Sequence, residues 1–335
     1  MISALLTACG PGTSALRPAS EPSPAGDVSE SRTVVIATNA EPVFLARRGL
    51  ERIGGAPTLF DAGLTQSAGQ GTPTELELAE GFPQLNTDSW KVLTDGKMET
   101  TWRLRPNLKW HDGTPLTADD FAFGFQVYRL PEFDGPRLAG GFIDNVTAPD
   151  LRTVVIHWKS PYPDAAEDIG TVPALPRHLL AAPFERLDSE TFKALPYWKT
   201  EFIGLGPYKL DTWEPGAFIE GSAFSDYAFG KPKIGHVKLV WIADGSALVA
   251  NMLAGSVHFA TAAVLEFEQA VVLRRQWRAD SGGSIALNPT KIRYVQVQYK
   301  TEYTQPAAIL DLRVRQALNH AIDKQALVDG MLEGE

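Results

Sequence analysis

Thr33 to Ala37 is an unbroken apolar, β-branched run, the pattern of a strand buried on both faces, and it empties into the polar segment Thr38-Asn39-Ala40-Glu41-Pro42. Trp90 to Leu93 and Thr101 to Leu104 read as further strands, the second alternating as a half-buried strand does. Asp112-Gly113 is a turn dipeptide whose glycine tolerates positive φ. Thr117 then stands where a helix N-cap belongs, and Asp119 and Asp120 follow in the first turn, where carboxylates favour the positive end of the helix dipole. Phe121, Phe125 and Tyr128 recur at i, i+4 and i+7, which predicts one apolar stripe packed into a core.

After a strand at Thr153 to Trp158, the glycines at 204 and 206 let backbone approach backbone, and Tyr208 starts a strand running toward Trp213. Pro215-Gly216 closes a hairpin, Val237 to Ile242 reads as a strand, Ser246 to Leu253 as a helix, and Ala254 to Phe259 as a turn and short strand. This β-α-β rhythm predicts an α/β lobe. Farther on, Tyr294 to Tyr299 alternates as a strand, and a helix after Asp311 places Val314, Leu318, Ile322 and Val328 on nearly one face.

A length of 335 residues predicts about two domains of about 150 residues each. The net charge of −9, with no basic run longer than two residues, argues against a nucleic-acid partner, because phosphate binding needs clustered Lys and Arg. The chain has one cysteine, Cys9, preceded by Leu6-Thr7-Ala8 and followed by Gly10. That arrangement resembles a lipoprotein box, in which cleavage precedes a cysteine that then carries lipid; the other reading is an incidental thiol. Only Met1 to Ala8 precede it, without Lys or Arg, so the start of the protein is expected upstream. Gly10 to Ser31 is rich in Pro, Gly, Ser, Thr and Ala and reads as a tether reaching about 25 Å. No stretch reaches the roughly 18 apolar residues of a membrane-spanning helix, so lipid alone is the expected attachment.

Chemistry is sparse. The histidines at 111, 157, 178, 236, 258 and 320 show no metal-ligand spacing, there is no thiolate cluster, and each reads as a surface or turn residue. Gly204-Leu205-Gly206 lacks the third glycine of a dinucleotide fingerprint, since Lys209 stands there. Gly282-Gly283-Ser284-Ile285-Ala286 falls one residue short of a Gly-x-Ser-x-Gly nucleophile elbow and joins two candidate strands, not a strand and a helix. A secreted hydrolase using Ser284 is the rival class, and it predicts reactivity toward a serine-directed probe.

Four segments in order carry a resemblance: Leu78 to Phe82; Thr101 to Phe121 around Trp110-His111-Asp112-Gly113; Gly204 to Leu210 with Trp213-Glu214-Pro215-Gly216; and Asp311 to Lys324. They resemble bacterial family 5 extracytoplasmic solute-binding proteins, the peptide- and nickel-binding components of ABC importers. The resemblance implies an α/β, periplasmic-binding-protein type II-like fold, two lobes around a cleft with an inserted α+β subdomain and a second lobe incomplete in this chain. The expected segments are 1–9 as signal remnant and lipobox, 10–31 as tether, 32–71 and 196–284 as lobe I, 72–195 as the inserted subdomain and 285–335 as the start of lobe II.

In function, the resemblance implies no enzyme, no cofactor and no resident metal. It implies a monomeric lipoprotein at the outer face of the membrane that captures a short peptide and delivers it to an ABC permease and its ATPase. Nickel complexes, oligosaccharides and other solutes stay open, as does a receptor that signals instead of transporting. Asn39, Ala40 and Glu41 are candidates to lie along the ligand, the other reading being a plain turn before Pro42. Gly204, Leu205 and Gly206 complete the candidate ligand-binding set; Leu205 stands where the family usually has Thr. Trp110, His111 and Asp112 are read as fold determinants, and Cys9 as the lipidated residue.

Overall fold

The computed structural model describes residues 32–46, 56–67, 74–130, 133, 141–166, 172–261, 264–277, 282–286 and 296–332. Cys9, the segment 10–31 and Tyr294-Val295 lie outside them. The strands in chain order are β1 (Thr33–Thr38), β2 (Thr65–Ser67), β3 (Thr74–Leu76), β4 (Trp90–Val92), β5 (Met98–Arg103), β6 (Ile143–Asp150), β7 (Thr153–Trp158), β8 (Tyr208–Glu214), β9 (Phe218–Ala223), β10 (His236–Trp241) and β11 (Phe259–Ala260). The helices are α1 (Ala56–Phe60), α2 (Ala118–Tyr128), α3 (Arg177–Arg186), α4 (Ser189–Lys193), α5 (Gly245–Leu253), α6 (Phe267–Trp277), α7 (Leu312–Ala321) and α8 (Lys324–Leu332).

Two main sheets organise the chain. The larger has five strands in the order β11-β1-β10-β9-β8, with β1 parallel to both β10 and β11 and the β8–β9 hairpin antiparallel beyond β10. One face places Val237, Leu239, Ile219, Tyr208 and Trp213 in a core shared with Phe60, Phe192 and Trp198. The other face, at Ala37, Val35 and Val240, is covered by Leu248 of α5 together with Val257 and Val264. Burial on both sides accounts for the unbroken apolar run of β1.

The smaller sheet, β4-β5-β7-β6, turns Met98, Thr100 and Trp102 inward. The buried Trp158 indole donates to the Thr100 hydroxyl at 3.0 Å, satisfying both polar groups. Its opposite face is polar and carries Glu99, Arg103 and His157.

α2 joins the two cores. Its start is secured as the pattern predicts: Asp120 Oδ2 accepts from the Thr117 backbone N–H at 2.9 Å. Burial acts to push the Asp120 carboxyl up, and the group is held by further donors, the Arg177 N–H at 3.0 Å and the Trp110 indole at 3.4 Å. Phe121, Phe125 and Tyr128 are buried as expected, each contributing about 2–3 kcal/mol by removal from water. The stripe is wider than predicted, however. Phe123 and Val127 are also buried, because Phe121 and Phe125 face the core of the smaller sheet while Phe123, Val127 and Tyr128 face that of the larger. Gly124 makes the fit possible: a Cβ there would stand 2.0 Å from the Pro173 carbonyl oxygen.

The expected strand over 294–299 is corrected where it is described. Gln296 to Lys300 has no regular structure, since no described strand lies beside it to complete a ladder. The Thr304 hydroxyl is within hydrogen-bonding reach of the carbonyls of Gln298 and Lys300 instead. The helix after Asp311 is present but shorter than expected: Asp311 Oδ1 accepts from the Arg313 N–H at 2.8 Å at the start of α7, which ends at Ala321, so that Val314 and Leu318 stand on it while Ile322 follows its end and Val328 belongs to α8.

Candidate functional site

The parallel strands β1, β10 and β11 end together at Thr38, Trp241 and Ala260. Loops beginning at Asn39, Ile242 and Thr261 issue from that edge, and the chain crosses from β10 to β11 past β1 through α5. Open α/β sheets bind ligands outside the carboxyl ends of strands whose neighbours lead off in opposite directions. Asn39 and Ala40 are exposed there. Thr38, itself buried, curls the loop by donating its hydroxyl to the Ala40 carbonyl at 3.0 Å. Glu41 turns back toward the β8–β9 hairpin: Oε1 accepts from the Trp213 indole at 2.7 Å and Oε2 from the Gly216 N–H at 2.9 Å. On the neighbouring loop Asp244 caps α5, accepting from the Ala247 N–H at 2.7 Å.

Gly204, Leu205 and Gly206 stand elsewhere. Tyr208 pairs with Ala223, Ser222 with His236, and His236 with Thr33, so these three residues enter the sheet at the edge where β1 begins. A six-residue strand separates the two edges by about 20 Å. The candidate residues therefore do not converge on one site. A Cβ at Gly204 would lie 2.1 Å from the Phe60 carbonyl oxygen, one at Gly206 would lie 2.5 Å from the Asp61 nitrogen, and Leu205 is buried in the core of the smaller sheet. Packing, not an open face, explains this Gly-Leu-Gly.

Its other side is gripped by His111. The His111 N–H donates to the Gly204 carbonyl at 3.0 Å, the Gly204 N–H donates to Nδ1 at 3.2 Å, and Nε2 lies 3.0 Å from the Gly206 carbonyl. An acceptor role for Nδ1 and a donor role for Nε2 require the neutral ring. Burial pushes its pKa down to about 4, with the Lys209 charge acting in the same direction and the Gly206 carbonyl opposing. Of the two readings, surface or turn, the structure gives the turn for His111, and its side chain is buried there at 7% exposure.

The same turn is locked by Asp112, which accepts from the Thr114 N–H at 2.9 Å and pairs with His178 at 2.7 Å. Burial acts to raise the Asp112 carboxyl, but these donors outweigh it and hold the group below the usual range. No local pattern marks His111 as the joint between the two sheets, because its partners are 93 and 95 residues away.

Ser284 sits in an exposed irregular segment, 282–286. Among the described residues no group of three or more His, Cys, Asp and Glu is placed to hold a metal ion, and no helix is long and apolar enough to cross a membrane.

Solved structures share this architecture. NikZ from Campylobacter jejuni in complex with Ni(L-His) aligns with a TM-score of 0.65 at 22% identity, covering 90% of this chain and 55% of that one. The oligopeptide-binding protein AppA from Bacillus subtilis, in complex with a nonapeptide, aligns with a TM-score of 0.64 at 22% identity, covering 90% and 56%. At that identity the likeness defines the fold, an α/β periplasmic-binding-protein type II arrangement, as expected.

Residues 82–335 match the bacterial extracellular solute-binding proteins, family 5 middle, and the chain belongs to that family. A Brucella ovis protein described as an ABC transporter peptide-binding protein is 30% identical over 249 residues, 73% of this chain and 44% of its own length. The chain spans about half the length of the curated relatives it matches.

Proposed function

We propose that the chain is the substrate-binding part of an ABC importer, capturing a short peptide or similar solute outside the membrane and delivering it to a permease driven by a partner ATPase. The observation that carries this reading is the open carboxyl edge of β1, where Asn39 and Ala40 are exposed in a chain of this family. A peptide laid there would meet main-chain groups in the manner of an added strand, with side chains adding selectivity. Affinity would follow from how much better a closed form contacts the solute than an open one. Binding and release need no covalent step, so the protein is not an enzyme in this reading. Cys9 would carry lipid, residues 10–31 would tether a monomeric body near the permease, and Asn39, Ala40 and Glu41 would border the solute. Gly204, Leu205 and Gly206 would support the fold behind it.

Native mass spectrometry of the protein extracted from its own membranes tests this. Lipid mass on Cys9 and a co-purifying peptide are expected. An unlipidated protein that carries no solute and gives no heat with trialanine or longer peptides sinks the reading. Release of a metal complex in place of a peptide would change the solute class while keeping the importer.

A further inference from the structure

Glu41 turns its carboxylate away from the open edge of β1 and onto the β8–β9 hairpin. Both carboxylate oxygens are engaged on the hairpin, Oε1 by the indole of Trp213, which is 5% exposed, and Oε2 by the backbone N–H of Gly216. The two donors are 172 and 175 residues away, and Gly216 presents its N–H from a turn that needs φ of +78°. Hydrogen bonds to an ionised carboxylate are shorter and stronger than neutral ones, and two divergent donors fix a direction as well as a distance. On the other side of the loop Thr38 is held in the sheet and bonded to the Ala40 carbonyl. Pro42, buried, restricts the backbone of Glu41 toward extended geometry. Asn39 and Ala40 are thus the exposed span between two anchors.

We infer that Glu41 is a positioning residue: it ties the loop after β1 to the β8–β9 hairpin and so holds Asn39 and Ala40 in the conformation that receives the solute. The solute part rests on the function proposed above; the clamp itself does not. A loop ordered before binding loses less conformational freedom when the solute arrives, which is where its effect on affinity comes from.

The test uses the full chain, with trialanine as probe, in Glu41→Ala, Glu41→Gln and Trp213→Phe variants. Glu41→Ala is expected to weaken trialanine about tenfold or more. Glu41→Gln, which keeps one acceptor but sets an amide N–H against a donor, and Trp213→Phe, which removes the indole donor, are each expected to weaken it by a smaller factor. Amide exchange separates a local clamp from a general loss of stability: in Glu41→Ala, exchange at residues 39–41 and at Gly216 quickens while the paired amides of β9 and β10 keep their wild-type rates. Wild-type affinity in Glu41→Ala overturns the inference, and so does exchange that quickens equally across the five-stranded sheet. If wild-type protein binds neither trialanine nor longer peptides, the solute reading fails, and exchange at 39–41 still decides the clamp.

Discussion

At the edge of the five-stranded sheet where β1 begins, Gly204 and Gly206 lie so close to the Phe60–Asp61 backbone that neither could carry a methyl group, and His111 uses both ring nitrogens to hold them. At the edge where β1 ends, Asn39 and Ala40 stand exposed between two anchors. Both places are loops joined to the same sheet. The first has no freedom because two other segments, the end of α1 and the His111 turn, close on it. The second keeps an open face because its anchoring is delegated to the neighbours Thr38 and Glu41. Glycine in one and exposure in the other are opposite signatures.

The contrast breaks most sharply at Gly206. Replacing it with Val would drive side-chain atoms into the α1 backbone, which cannot yield as a flexible side chain could. A loss on the order of 3 kcal/mol or complete failure to fold is expected, read as the midpoint of urea unfolding. A Gly206→Val protein with a wild-type midpoint would mean the edge is loose and would return Gly204 to Gly206 to consideration as solute contacts.

His111 gives the next largest effect, through pH. Its ordinary pKa of 6.5 falls to about 4 in the folded protein, so between those values the unfolded chain binds more protons than the folded one. Stability therefore rises with pH across that window, is fully present above about 6.5, and is lost as pH falls toward 4, below which this group adds no further change. The whole excursion is on the order of 3 kcal/mol. A His111→Gln variant, whose amide offers one donor and one acceptor, should lose this part of the slope between pH 6.5 and 4. An unchanged slope would assign the acid sensitivity to another group.

This contrast also sorts what was legible in the chain. The strand at Thr33, the cap at Thr117, the turns at Gly113 and Gly216 and the helix after Asp244 are visible because each depends on residues a few positions apart. β6 was missed because register shifts after Ile143 and after Thr147 break its alternation. α3 was missed because it buries only Leu180 and contains Pro183, leaving little periodicity to read. The glycines at 204 and 206 were read as a close approach of backbone to backbone, which is right, and what approaches is the end of α1. The identity of that neighbour depends on Phe60, and the grip on its other side on His111, about 145 and 95 residues upstream, and no local pattern carries either.

The smallest change in stability belongs to the open edge. Ala40→Trp places a large side chain on an exposed loop position, so stability should stay within about 0.5 kcal/mol of wild type. Its effect should appear in binding: an indole standing over the carboxyl edge of β1 occupies the path an added strand would take, and trialanine affinity should fall about tenfold. The pairing of these two results is what discriminates. A variant that is equally stable and equally tight would place the solute away from this edge. One that is unstable would mean Ala40 is packed, and the two ends of the sheet would no longer differ in kind. Stable and weak is the outcome that follows from one end built to close and the other built to receive.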